Sequence, residues 1–139
     1  MLGLLTKVAA QEENERNDKV ESMKIGFITQ KLDLNSAEAK TFWPVFNEFT
    51  DEQKKIRAKM KENMLTFKAK ATPSDQEANK FIIEQLALKQ SELDLTKKYM
   101  TEFKKVLPEK KVALLLTLDQ EFKQQLLQRL KERRERIQR

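Results

Sequence analysis

Leu32-Asp33-Leu34-Asn35-Ser36-Ala37-Glu38-Ala39-Lys40-Thr41-Phe42-Trp43-Pro44-Val45-Phe46 decides the fold, because it writes the end of one helix and the start of another into a chain that is otherwise amphipathic helix. Asn35 and Glu38 have capping-box spacing: the Asn side chain can accept from the amide three residues on while the Glu carboxylate reaches back. Leu34 supplies the apolar residue ahead of the box. The aromatics that follow, Phe42, Trp43 and Phe46, announce what the new helix buries. Pro44 removes an amide donor and crowds the carbonyl four residues back, so a kink or a reset of the helix start is expected there.

Working outward, the N-terminal side carries Val20, Met23, Phe27 and Ile28 at spacings of three and four, which predicts a first helix from about Asn14 to Leu32. Gly26 interrupts it, either to admit a close crossing by another helix or as a tolerated weak point. On the C-terminal side Phe42, Phe46, Phe49, Gln53, Ile56, Met60, Met64 and Phe67 mark a second helix from about Ser36 to Lys70. Ala71-Thr72-Pro73-Ser74-Asp75-Gln76-Glu77 is a reversal, with Ser74 and Glu77 forming a second capping box. A third helix follows to about Leu107, its expected buried stripe running through Ala78, Phe81, Ile82, Gln85, Leu86, Lys89, Leu93, Thr96, Met100 and Phe103. Pro108 and Glu109 open a fourth, which carries Val112, Leu115, Leu116, Phe122, Leu126, Leu130 and Ile137.

The expectation is an all-α fold of four long helices in two hairpin-like pairs, elongated and thin, because helices of this length exceed the width of a compact globule of this mass. Val45, Leu88, Leu95 and Leu127 fall off the expected seams, and a second subunit covering some of them would make a homodimer. Residues 1–10 resemble the back end of a signal peptide, with small residues at Val8 and Ala10 ahead of Gln11. That leaves residues 11–139 as a single helical domain with a basic C-terminal tail.

The net charge is +6 and 36% of residues are charged, with Lys123, Arg129, Lys131, Arg133, Arg134, Arg136 and Arg139 crowding the end. Such charge favours acidic or mixed-charge partners without naming one; nucleic acid, anionic lipid and unfolded polypeptide all fit. The chain has no His and no Cys, which excludes thiol nucleophiles, Ser-His-Asp chemistry, the usual structural zinc sites and Glu-x-x-His di-iron sites. Two glycines cannot build a phosphate-binding loop or an EF-hand loop. No enzymatic activity, cofactor, metal or nucleotide is expected. The segment Lys54-Lys55-Ile56-Arg57-Ala58-Lys59-Met60-Lys61 lies beside the apolar stripe of the second helix, a combination that holds flexible chains by charge and apolar contact together.

Leu34-Asn35-Ser36-Ala37-Glu38 resembles a variant of the LTxxQ motif of Spy/CpxP-like periplasmic proteins, with Asn35 in place of Thr and Glu38 in place of Gln. The likeness extends over Ile25-Gly26-Phe27-Ile28-Thr29-Gln30-Lys31-Leu32, Phe42-Trp43-Pro44-Val45-Phe46-Asn47-Glu48-Phe49 and Tyr99-Met100-Thr101-Glu102-Phe103-Lys104-Lys105-Val106-Leu107-Pro108. It is similar to the Bacteroidetes branch, often labelled sensor of ECF-type sigma factor. Where a second LTxxQ copy would fall, Leu107-Pro108-Glu109-Lys110-Lys111 lacks both the cap residue and the Gln. The resemblance implies a cradle-shaped antiparallel dimer, export to the periplasm, and either ATP-independent chaperoning or a role in envelope stress.

Two expectations of function follow from residues and resemblance together. The first is a client-binding chaperone or envelope-stress accessory protein that holds unfolded or partly folded proteins through Arg57, Lys61 and Lys68 for charge and Trp43, Phe46 and Phe49 for apolar contact. The second is a dedicated inhibitor or ligand of a periplasmic stress sensor or anti-sigma system. A nucleic-acid-binding role for the Arg-rich end is the third reading. Leu34, Asn35, Glu38, Ser74 and Glu77 are read as structural capping residues.

Overall fold

The computed structural model describes residues 2–139; Met1, the first residue of the signal-like stretch, lies outside them. The protein is all-α. Its four helices are α1 (Leu2–Leu32), α2 (Ser36–Lys68), α3 (Asp75–Val106) and α4 (Glu109–Gln138), with no strand among the described residues. No described helix is long and apolar enough to cross a membrane.

The helix ends follow local chemistry. Asp33 ends α1 in the left-handed region, with φ 46°, a conformation that Asp tolerates better than most side chains. Its carbonyl oxygen accepts from Lys111 Nζ at 2.9 Å. Because α2 begins at Ser36, Asn35 occupies the N-cap position and Glu38 the third helical position. The second box is complete: Glu77 N–H donates to Ser74 Oγ at 3.1 Å, and Ser74 N–H donates to Glu77 Oε1 at 3.4 Å. α3 closes with the Leu107 amide donating to the Phe103 carbonyl at 2.9 Å, and Pro108 separates it from α4.

One local expectation is corrected, and two lose one of their alternatives. α1 begins at Leu2 rather than near Asn14, since its first turns hold good helix formers and no Pro. α2 runs unbroken through Pro44, so the helix start is not reset there. Gly26 admits no close crossing: a Cβ built on it would meet nothing within 4 Å.

The chain divides into two compact units, one comprising the residues up to Asn35 with Lys110–Arg139 and the other Ser36–Glu109. In the first, the C-terminal half of α1 runs antiparallel to the N-terminal half of α4. Lys24 pairs with Asp119 at 2.5 Å, Phe27 meets Phe122 with ring centroids 5.6 Å apart, and Lys111 reaches Asp33. Ile28, Leu32, Val112, Leu115, Leu118 and Phe122 are its buried side chains. Every described side chain from Gly3 to Lys19, and from Lys123 onward except Leu126, is exposed.

The second unit is the α2–α3 hairpin. Along α2 from Phe49 through Arg57 and Asn63 to Phe67, the partners on α3 step back from Tyr99 through Glu92 and Gln85 to Phe81. Near the open end Phe42, Phe46, Phe49, Tyr99 and Phe103 form one aromatic cluster, Phe42 lying 5.4 Å from both Phe46 and Phe103. At the turn, Phe67 stacks on Phe81 at 4.5 Å. Offset and edge-to-face rings at such spacings contribute about 0.5–1.5 kcal/mol per pair beyond their buried area.

The α3 stripe is also corrected. The face toward α2 consists of Phe81, Gln85, Leu88, Glu92, Leu95, Tyr99 and Phe103, all buried or half-buried, whereas Ile82, Leu86 and Leu93 are exposed. Leu88 and Leu95, expected off the seam, lie on it, so the case for a second subunit rests on neither. Val45 is half-buried and Leu127 exposed.

Candidate functional site

The two sides of the α2–α3 hairpin differ in chemistry, and helix geometry explains which residues share a side. A residue that follows a core position is rotated about 100° from it in the right-handed sense. In an antiparallel pair those rotations are opposite in space, so the residue after each core position emerges on the same side of both helices.

On α2, Lys54, Arg57, Lys61 and Lys68 follow Gln53, Ile56, Met60 and Phe67. With Leu65 they form a ridge at spacings of three and four that continues back to Trp43, the residue after Phe42. On α3, Ile82, Leu86, Lys89, Leu93, Met100 and Lys104 follow Phe81, Gln85, Leu88, Glu92, Tyr99 and Phe103. Neither ridge carries a carboxylate. Glu92, on the α3 seam, accepts from Arg57 Nε at 3.2 Å, a bridge that ties the two helices on this side.

The residues before the core positions face the other way, and the walls of an open groove show it. Lys59, Glu62, Asn63 and Thr66 of α2 line a groove of about 430 Å³ with Glu84, Ala87, Leu88 and Ser91 of α3. Lys59, Glu62 and Glu84 mix both signs there, and two pairs form along α3, Lys80 with Glu84 and Lys105 with Glu102. One side of the hairpin is therefore cationic and partly apolar, the other electrically mixed.

Four of the six residues expected to contact a ligand share the cationic side. Arg57, Lys61 and Lys68 are exposed on the α2 ridge, and Trp43 is half-buried at its upstream end, packed edge-on against Phe42 and Phe46. Phe46 and Phe49 are corrected: each is 7% exposed and belongs to the aromatic core. The exposed apolar side chains on this side are instead Ile82, Leu86 and Leu93, between 50 and 58% exposed, and Leu65 on α2. Sequence periodicity contained these residues but assigned them to the interior.

Beneath the surface, the Tyr99 hydroxyl donates to Glu52 Oε1 at 3.1 Å. Burial pushes its pKa above the usual tyrosine range, and the Glu48 and Glu52 carboxylates push it further. At the turn the Glu77 carboxyl is held below the ordinary value, first by the Lys70 ammonium and then by Ser74. Both are structural arrangements, at the open end and the turn of the hairpin. Among the described residues no group of three or more His, Cys, Asp or Glu side chains could hold a metal ion.

Comparisons with family models, curated proteins and solved structures gave no match to this chain.

Proposed function

We propose that the protein is a client-binding protein of Spy/CpxP type, acting in the periplasm without nucleotide hydrolysis and holding partly folded polypeptides on the cationic side of the α2–α3 hairpin. The observation that supports this is the pairing of two ridges free of carboxylates, Lys54, Arg57, Lys61 and Lys68 on one helix beside Ile82, Leu86 and Leu93 on the other. Flexible Lys and Arg side chains over scattered apolar surface suit many sequences weakly rather than one tightly. Acidic groups flanking an apolar run complement such a surface, and steering by the positive field speeds their encounter. No covalent step is assigned.

The test is suppression of aggregation for several unrelated unfolding proteins by the full chain, compared with a variant carrying Arg57→Glu, Lys61→Glu and Lys68→Glu. Broad suppression that fails in the variant supports the reading. Suppression unchanged in a folded variant rejects this face, and binding to a single client out of many favours a dedicated ligand of one sensor instead.

A further inference from the structure

The distal half of α4 has a surface that the hairpin does not account for. From Lys123 onward every side chain except Leu126 is exposed, and Leu127 and Ile137 are 66% and 77% exposed. A helical segment of this length is marginal in water without apolar contact to sustain it. Its side chains are nevertheless segregated. Leu127, Leu130 and Ile137 fall on one face, and Arg133 and Arg134, three and four residues after Leu130, stand at that face. Glu132 lies on the opposite side with Arg129 and Arg136, Glu135 falls on a flank, and Gln128 donates to Glu132 at 3.3 Å.

We infer that this half of α4 docks in the plane of an anionic lipid bilayer surface. Leu127, Leu130 and Ile137 enter the boundary between headgroups and acyl chains while Arg133 and Arg134 meet lipid phosphates. Arg134 between Leu127 and Leu130, Arg133 at the edge of the same face and Glu132 turned away from it suit a helix lying at the headgroup boundary. The long Arg stems cover apolar surface while their guanidinium groups stay at headgroup level. Nucleic acid offers the same phosphates but no place for exposed Leu and Ile between the cations, which is why lipid is favoured. The surface is separate from the proposed client-binding side and stands or falls independently of it.

The test is co-sedimentation of the full chain with vesicles of phosphatidylcholine alone and of an equimolar mixture with phosphatidylglycerol. Binding to the mixed vesicles and not to phosphatidylcholine is expected. Leu127→Asp with Leu130→Asp, and separately Arg133→Glu with Arg134→Glu, should each weaken it about tenfold or more. The hairpin variant Arg57→Glu, Lys61→Glu, Lys68→Glu should retain it. Absence of binding to mixed vesicles, or equal binding to both compositions, overturns the inference. So does loss of binding in the hairpin variant with retention in both α4 variants. Binding to mixed vesicles that survives the Leu pair, or capture of duplex DNA more tightly than mixed vesicles, also rejects lipid insertion, because charge alone then carries the contact.

Discussion

Lys111 Nζ donates across 2.9 Å to the main-chain carbonyl oxygen of Asp33, so the first turns of α4 hold the residue that ends α1. That residue has φ 46°, where a Cβ costs about 1 kcal/mol that Gly does not incur. Asp33→Gly is therefore expected to raise unfolding stability by about 0.5–1 kcal/mol, less what the unfolded chain regains in freedom. Asp33→Val should lower it by more than about 1 kcal/mol, since a β-branched side chain suits this region worst. Lys111→Met should cost about 1 kcal/mol. Urea unfolding of the variants measures all three, and a Val variant as stable as the parent would contradict the left-handed cap.

Gly26 gives a simpler prediction. It lies within α1, and the space a methyl group would occupy there is open. Gly26→Ala should raise stability by about 1 kcal/mol through the backbone freedom removed from the unfolded chain. A loss of stability in thermal unfolding would show that something approaches that face in solution.

The helices and their breaks were legible in the sequence because capping and proline chemistry are local: Asn35 before Ser36, Ser74 with Glu77, and Pro108 lie at or next to the boundaries they signal. The face of α3 was not legible. Periodicity weighs only apolar character: Ile82, Leu86, Leu93 and Met100 are apolar although they lie beside the seam, and the true seam contains Gln85 and Glu92. Those two polar residues face α2 because Asn63 and Arg57 stand opposite to receive them, a pairing across the hairpin that no single helix reveals. The same shift of one residue hid the candidate site by placing its apolar half in the interior. On α2 the charged half could be read directly, because Lys61 and Lys68 have no competing reason to be buried and Arg57 stays exposed while it reaches Glu92.

Tyr99 predicts an alkaline signature. Its folded hydroxyl keeps its proton to higher pH than the unfolded one, chiefly through burial. The resulting stabilisation is complete below the unfolded pKa of about 10 and is lost as pH rises toward the folded value. Tyr99→Phe should cost about 1 kcal/mol at neutral pH, and its stability should fall less steeply than the parent's above pH about 10. Tyr99 is the one tyrosine of the chain, so tyrosinate absorbance follows its titration directly. An ordinary titration in the folded protein would contradict the burial described here.

The hairpin turn predicts the opposite limb. Ser74→Ala removes an N-cap and should cost about 1 kcal/mol. Glu77 has a depressed pKa, with Lys70 as the first cause, so its contribution is present above the unfolded carboxyl value and is lost as pH falls through the folded one. Glu77→Gln keeps a side chain able to complete the capping box but loses the attraction to Lys70. Parent and variant should differ in stability at neutral pH and converge in acid, and a difference that persists unchanged at low pH would remove charge from the explanation.

On the cationic side of the hairpin, the apolar and charged halves should separate in their response to salt. Lys61, Leu86 and Leu93 are exposed, so substituting them should change stability by no more than about 0.5 kcal/mol each; Arg57→Glu also breaks the bridge to Glu92, so its variant is compared only where circular dichroism shows it folded. Binding of an unfolded acidic polypeptide then reports on contact rather than folding. Leu86→Ser with Leu93→Ser should weaken it about tenfold, roughly the transfer free energy of two half-covered leucines, and leave its dependence on salt unchanged. Arg57→Glu with Lys61→Glu should weaken it most at low ionic strength and flatten the salt dependence, because these charges act through a field that added salt screens. If both pairs flattened the salt dependence equally, the leucines would be acting through charge and the apolar half of the site would be absent. If the leucine pair had no effect, the surface would be a purely electrostatic one, and selectivity for unfolded over folded acidic proteins should vanish with it.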